Sequence, residues 1–171
     1  MLGCGMSTLR RFARCGAGLG LSALLLIPAA GAKANDSAGH DFHRHHVGLF
    51  LGAASRPEDH GSDEHGFAAG MDYEYRFSQW AGIGVLAEAA SGDLRDAVVA
   101  GLVFVHPWKG LLFAAGAGAE ISSDDSEFVT RLGVAYQFPL GKRFTIAPNF
   151  NVDLVRGDPT YIYGIVLGVG F

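Results

Sequence analysis

The sequence predicts an all-β protein, a closed eight-stranded antiparallel transmembrane β-barrel preceded by a signal peptide. After residue 45 the apolar residues recur every second position, as in strands with one apolar face, and no amphipathic helix can be placed there. Each extended segment has about the 9–11 residues that a tilted strand needs to cross a bilayer, and the even count suits a single-chain barrel. The eight predicted strands are 46–54, 66–77, 80–90, 97–106, 110–121, 128–138, 143–155 and 160–171.

The N-terminus has the layout of a secretory signal peptide, which we place at residues 1–34. A basic region precedes an apolar run of 12 residues, 19–30, and the small-residue pattern of a cleavage site follows at 32–34. The apolar run is shorter than the ~20 residues of a membrane-spanning helix, which disfavours an uncleaved anchor. The basic residues are Arg10, Arg11 and Arg14.

Removing this leader changes the composition of the chain. Cys4 and Cys15 are the two cysteines and both lie in the leader, so the remaining chain has no thiol or disulfide chemistry. Four of the 13 basic residues also lie there, which leaves nine against 17 acidic residues and a net charge of −8 with histidine neutral. An acidic chain is a poor nucleic-acid binder, and we predict no nucleic-acid partner. The remaining chain divides into a His-rich tail, 35–44, and the barrel, 45–171.

Strand 66–77 shows the two faces of the predicted barrel most clearly. Phe67 and Tyr73 fall on its apolar face, while Asp72 and Glu74 fall on the opposite face, which we assign to the lumen. The fourth predicted strand is ambiguous, because both of its faces are apolar. Connections after odd-numbered strands are acidic and polar, whereas those after even-numbered strands are short. We therefore expect the first set on the outside and the second set in the periplasm.

The last strand has an apolar outward face and ends the chain on an aromatic residue. It resembles the C-terminal assembly signal of bacterial outer-membrane β-barrels, and the residues that carry this likeness are Tyr163, Ile165, Leu167, Val169 and Phe171. The chain after the leader is similar to the small eight-stranded OmpA/OmpX-like barrels. Segments 45–52, 70–78 and 103–108 also look like a subgroup of such barrels without an assigned function.

This resemblance implies a location and a set of partners. We expect the protein in the bacterial outer membrane after secretion to the periplasm, surrounded by outer-membrane lipid and lipopolysaccharide. The barrel-assembly machinery is the expected partner during biogenesis. The resemblance supplies no reaction, and it favours a structural or interaction role at the cell surface.

Ionisable residues on the lumen side of the strands form the main candidate site. Eight strands enclose an interior that side chains just fill, and glycine in a strand permits close approach. We therefore predict a largely plugged polar lumen. A narrow cation-preferring channel is the alternative, because acids outnumber bases by five to two. The predicted lumen charge network consists of Asp72, Glu74, Arg76, Glu88, Glu120, Arg131 and Asp153.

The predicted turns give the cross-strand partners of two acids of this network, Glu74 and Glu120. Folding the second and third strands about their short connection places Glu74 opposite Gly84, so a large side chain would lie across a glycine gap. Folding the fifth and sixth strands about 125–126 places Glu120 opposite Arg131, where the two charges would pair.

Histidines form the one cluster that suggests metal chemistry. Imidazole is a common ligand of zinc, copper and nickel, and a short His-rich tract is typical of metal binding. The alternative is a soluble periplasmic tail, since no neighbouring groups are predicted to orient the rings. A divalent cation shared with lipopolysaccharide at the acidic outer connections is a further possible partner. The candidate metal ligands are His40, His43, His45 and His46.

We expect no enzymatic activity and no cofactor. Some small outer-membrane barrels modify lipids with a histidine and a serine near the outer leaflet. His60, Ser62 and Asp63 in the first outer connection have suitable side chains for a base and a nucleophile. No G-x-S-x-G motif supports them, so a lipid-modifying enzyme is the least favoured alternative.

Overall fold

The computed structural model describes residues 42–57, 62–122 and 125–171, which form a single antiparallel β-sheet. The predicted leader and tail residues 35–41 lie outside these ranges. Within the described ranges, no helix is long and apolar enough to cross a membrane. The strands are β1 (His45–Arg56), β2 (Glu64–Arg76), β3 (Ala81–Ala90), β4 (Ala97–Trp108), β5 (Leu111–Ile121), β6 (Ser126–Tyr136), β7 (Phe138–Leu140), β8 (Phe144–Val155) and β9 (Asp158–Gly170).

The sheet closes on itself, which confirms the predicted barrel. Neighbouring strands pair in chain order, and β1 pairs with both β2 and β9, so the first and last strands form the closing seam. β6 and β7 both pair with β8 and make up one barrel strand, so the barrel has eight strands. Among the described strands, closure leaves no unpaired sheet edge, as a bilayer requires.

Two prolines explain the departures from regular pairing. Ala135 lies opposite Asn149 and Phe138 lies opposite Ile146, so the gap between β6 and β7 falls opposite Pro148 and its neighbour. Proline has no N–H to donate, and the ladder is interrupted there. The β4–β5 register likewise shifts in the segment that contains Pro107, between Val105 and Trp108.

The outer wall is apolar along its length, as expected for a surface in contact with lipid. Large apolar side chains of every strand from β1 to β9 are exposed on it, with aromatic rings at both ends. β4 resolves the predicted ambiguity: Val99 and Val103 face outward, whereas Leu102 and Phe104 are buried inside.

The lumen is less polar than the sequence predicted. Two buried apolar clusters lie within it, one around Phe104 and Val129 and the other around Phe50 and Ile162. With only eight strands, apolar side chains at lumen positions meet across the interior.

Glycines bring the strands of this narrow barrel close together. A Cβ on Gly84 would overlap the carbonyl oxygen of Tyr73, and a Cβ on Gly116 would overlap the carbonyl oxygen of Gly101. Gly101 itself faces outward and has open space beside it. Glycine is therefore required on the lumen side of these strands and not on the lipid side.

Candidate functional site in the barrel lumen

Three polar clusters, each containing one arginine, lie one after another along the lumen from one end of the barrel to the other. The outer end is the end at which the β1–β2, β3–β4, β5–β6 and β8–β9 connections lie. The outer cluster comprises Arg56, Asp96, Glu120 and Thr160; the central cluster comprises Glu88, Arg131 and Asp153; and the periplasmic cluster comprises Glu74, Arg76, His106 and Gln137.

The central cluster is a fully buried ion triad. Arg131 on β6 lies directly opposite Asp153 on β8, and its Nε and terminal nitrogen donate to the two carboxylate oxygens at 2.6 Å each. The second carboxylate, Glu88 from β3, accepts from the same guanidinium at 2.8 Å. Arg131 is 2% exposed and Asp153 is 1% exposed. Such a bidentate pair combines strength with a fixed geometry.

The periplasmic cluster is centred on Glu74, which is 1% exposed. Its carboxylate accepts from Arg76 Nε at 3.0 Å and contacts His106 Nε2 at 2.8 Å. Arg76 also donates to the side-chain oxygen of Gln137 at 3.2 Å. Glu74 pairs with Gly84 in the β2–β3 register, as the predicted turn required, and its side chain occupies the space over neighbouring Gly82.

The outer cluster gathers around Arg56, the last residue of β1. A terminal nitrogen of its guanidinium lies 3.1 Å from Glu120 and 3.2 Å from Asp96. Its Nε donates to the Thr160 hydroxyl at 2.9 Å. These side chains are partly exposed, because they lie at the mouth of the barrel.

The predicted pairing of Glu120 with Arg131 is wrong. Glu120 lies opposite Glu127, and Arg131 lies opposite Gly116. The cause is the turn: the Ser122 amide donates to the Asp125 carbonyl oxygen, so the hairpin closes before the predicted position. Glu120 therefore pairs with Arg56, and Arg131 pairs with Asp153 and Glu88.

Sequence reasoning missed several members of these clusters. Arg56 and Asp96 were assigned to the outer connections, and His106 to the periplasmic rim. The alternation along β1, in which Phe50 and Ala54 face inward, would place Arg56 in the lumen if continued for two more residues. No comparable signal predicts that Asp96 bends back over the barrel mouth.

Asp72 is the member of the predicted network that belongs to none of the three clusters. It lies opposite Leu86 and Gly48 in the two adjoining pairings, and within the described residues no ion pair to it is formed. Counting Arg56 and Asp96, the lumen holds six carboxylates and three guanidinium groups. The acid excess that the sequence predicted thus remains after the pairings are known.

Two small cavities remain between the clusters. The periplasmic-side cavity has a volume of about 50 Å³ and is lined by Asp72, Glu74, Asn151 and other residues. The outer cavity has a volume of about 20 Å³. Glu88 lines both, so the central cluster separates them. A cavity needs roughly 10–15 Å³ to hold one water, so these spaces suit a few waters.

The structure does not bring the described candidate metal ligands, His43, His45 and His46, together at one site. His43 Nε2 contacts the Lys142 carbonyl oxygen at 2.9 Å. His45 and His46 are adjacent on β1 and point to opposite faces: His45 Nδ1 contacts the Tyr73 hydroxyl at 2.7 Å, and His46 Nε2 contacts Thr145 in the lumen at 3.2 Å. His40 lies outside the described residues. Among those described, no group of three or more potential metal ligands is present.

The predicted assembly-signal residues share the outer face of the last strand. Tyr163, Ile165 and Leu167 are exposed there. Phe171 stacks on His45, with ring centroids 5.5 Å apart and planes 11° apart. Of the side chains considered for catalysis, Ser62 and Asp63 are exposed before β2, and His60 lies outside the described residues.

Comparison with known proteins supports the fold. No family model matches the chain, and no curated protein sequence matches it significantly. The crystal structure of Neisserial surface protein A aligns with a TM-score of 0.60 at 10% identity, covering 74% of this chain and 97% of that one. The N-terminal β-barrel domain of Pseudomonas aeruginosa OprF gives a TM-score of 0.58 at 13% identity, covering 75% and 98%.

Two further structures are similar. Ail, the attachment invasion locus protein of Yersinia pestis, gives a TM-score of 0.56 at 12% identity, covering 76% of this chain and all of that one. A designed transmembrane β-barrel gives a TM-score of 0.52 at 13% identity. The chain thus has the fold of the small eight-stranded outer-membrane β-barrels. Because a designed protein shares it, this fold by itself specifies no activity.

Proposed function

We propose that this protein is a non-conducting outer-membrane barrel with a structural or interaction role at the cell surface. The observation that carries the proposal is the central triad of Glu88, Arg131 and Asp153. It spans the interior between the two cavities, and its side chains are buried, with Arg131 2%, Asp153 1% and Glu88 8% exposed. The apolar outer wall and the similar structures support the outer membrane as the location.

Lipid and lipopolysaccharide are the proposed surroundings of the barrel. The apolar side chains of the wall suit acyl chains, and aromatic residues such as Trp80 and Trp108 are exposed at the periplasmic end, where an interfacial belt is expected. The acidic outer connections support a divalent cation as a bridge to lipopolysaccharide phosphates. The barrel-assembly machinery remains a proposed partner, on the basis of the terminal strand alone.

A narrow cation-preferring channel is the second candidate. The excess of carboxylates over guanidinium groups favours it, since a lining of one sign selects ions of the opposite sign. For this candidate to hold, Arg131 would have to leave both of its buried partners, which is costly in a low-dielectric interior.

We also propose that the chain is not an enzyme. Among the described residues, His106 is the histidine that contacts a buried carboxylate, that of Glu74. This pair lies inside the lumen beside Arg76 and Gln137. Its position away from the outer leaflet does not suit attack on a surface lipid.

Permeation through reconstituted vesicles tests the proposal. Purified protein is inserted into phospholipid vesicles, and the uptake of a small neutral sugar and of potassium is compared with empty vesicles. We expect no increase in either rate. A strong increase for potassium with none for chloride would favour the channel instead, and uptake of the sugar would contradict the plug outright.

A further inference from the structure

A short loop lies over part of the outer cavity, above the proposed plug. The β3–β4 connection, Ser91–Asp96, which we call the outer cap, is exposed except around Leu94. Leu94 is 6% exposed and belongs to the buried cluster that contains Phe50, Ala68 and Ile162. A loop at a barrel rim faces water, so an apolar side chain inserted from it into the lumen needs an explanation.

Backbone hydrogen bonds hold the cap at its base and along β2, where the Asp93 amide donates to the His65 carbonyl oxygen at 3.3 Å. The Ser91 amide donates to the Phe67 carbonyl oxygen at 2.8 Å, and the Ala90 amide donates to the Asp96 carbonyl oxygen at 2.8 Å. The Asp96 carboxylate adds an ion pair of 3.2 Å to Arg56. The loop therefore returns to the outer end of the barrel wall, where β4 begins, and Leu94 lies against the outer cavity.

Backbone strain is located next to the inserted side chain. Gly92 and Arg95 have φ angles of +86° and +48°. Glycine adopts such a conformation readily, but for arginine it is unfavourable. Strain at Arg95 therefore raises the free energy of the closed cap, while burial of Leu94 lowers it.

The cap can open without leaving the guanidinium of Arg56 unpaired. Arg56 binds Glu120 at 3.1 Å as well as Asp96, so its guanidinium keeps a carboxylate partner when Asp96 leaves. Asp96 lies at the rim and would enter water. The cavity uncovered in this way is lined by Arg56 as well as by Glu88, Glu120 and Asp153. Counting Arg131, which binds two of these acids, three carboxylates face two guanidinium groups, and the excess negative charge attracts cations.

We propose that the outer cap is a lid that opens, with Gly92 and Arg95 as its hinges and Leu94 as its stopper, and admits water and small cations to the outer cavity. The central triad stays closed beneath it. This inference concerns access from outside and does not depend on whether the triad blocks the lumen.

Cysteine accessibility tests the lid, with Cys4 and Cys15 replaced by serine. Thr160→Cys reports from under the cap, and Asp158→Cys reports from the exposed outer turn. Vesicle-embedded protein is treated from outside with cationic and anionic methanethiosulfonate reagents. We expect Thr160→Cys to react more slowly than Asp158→Cys, and faster with the cationic reagent than with the anionic one.

Two cap variants give opposite expected shifts. Leu94→Ser removes the stopper and should speed the labelling of Thr160→Cys about tenfold or more. Arg95→Gly removes the strain of closure and should slow it several-fold. Folding of each variant is checked by heat-modifiable migration in gels. Equal labelling of Thr160→Cys in the native-cap, Leu94→Ser and Arg95→Gly forms would overturn the lid.

A third reporter separates the lid from the plug. Asn151→Cys lines the periplasmic-side cavity below the triad and should stay unreactive from outside, whatever the state of the cap. Ready labelling of Asn151→Cys in the protein with the native cap would contradict the proposed plug. The relative labelling rates of Thr160→Cys in the three cap forms would still decide whether the cap is a lid.

Discussion

Arg131 and Asp153 meet through two hydrogen bonds of 2.6 Å in the middle of the lumen, where both side chains are almost completely buried. The two residues lie opposite each other on neighbouring strands, so the backbone register fixes the pair. The same guanidinium binds Glu88 on the far wall. This contact joins β3 to the β6–β8 pair across the interior, so the central cluster braces the barrel at the level of the proposed plug.

Removal of the arginine should destabilise the barrel strongly. Arg131→Ala leaves two buried carboxylates without a cation, which we expect to lower the free energy of unfolding by about 3–5 kcal/mol. Unfolding by guanidinium in phospholipid vesicles measures this. The control is Arg156→Ala, whose pairs with Asp125 and Glu127 lie at the exposed rim and should contribute about 0–1 kcal/mol. Equal losses in the two variants would contradict a bracing role for Arg131.

Glycines of the two faces should respond differently to an added methyl group. Gly84→Ala places a Cβ against the Tyr73 carbonyl oxygen, so we expect a loss of roughly 1–3 kcal/mol and a lower yield of folded protein. Gly101→Ala meets open space on the lipid side and should be tolerated. Folded yield is measured by heat-modifiable migration. If Gly101→Ala proved the more harmful variant, the assignment of faces would be wrong.

The terminal aromatic residue should matter more for insertion than the last outer turn does. Phe171 exchanges backbone hydrogen bonds with His45 and stacks on its ring, so it completes the closing seam as well as the apolar face of β9. We expect Phe171→Asp to reduce the amount of folded protein in the outer membrane far more than Asp158→Asn. Comparable folded amounts from the two variants would contradict this role.

Binding of a metal ion by the His-rich tail should not depend on the first two residues of β1, His45 and His46. The side chains of His45 and His46 point to opposite faces and already bind Tyr73 and Thr145. Replacing both histidines with glutamine should therefore leave calorimetric binding of Zn²⁺ or Ni²⁺ unchanged. A clear loss of affinity would show that the segment rearranges around the ion.

The barrel itself could be predicted from the sequence because its physical requirements are local. A strand that separates lipid from a packed lumen needs alternating side chains, and that alternation placed every member of the predicted network on the lumen face. Strand ends were less predictable: β1 continues to Arg56, and this extension supplies the cation of the outer cluster.

Pairings across the lumen could not be predicted in the same way. Glu88 reaches Arg131 from the opposite wall, a relationship that depends on barrel closure and on the register of every intervening strand. One misplaced turn, at 122–125, was enough to give Glu120 the wrong partner. The partner of Glu74, Gly84, was predicted correctly, because the short connection between β2 and β3 leaves little freedom in their register.

Ionic current through a planar lipid bilayer tests the central claim, that the ion clusters plug the lumen, most directly. The unmodified barrel should pass little current. An Arg76→Ala, Arg131→Ala double variant, shown to be folded by its heat-modifiable migration, should conduct more and should prefer cations, because two large side chains are removed and carboxylates remain. Steady, large, anion-selective channels in the unmodified protein would contradict the account.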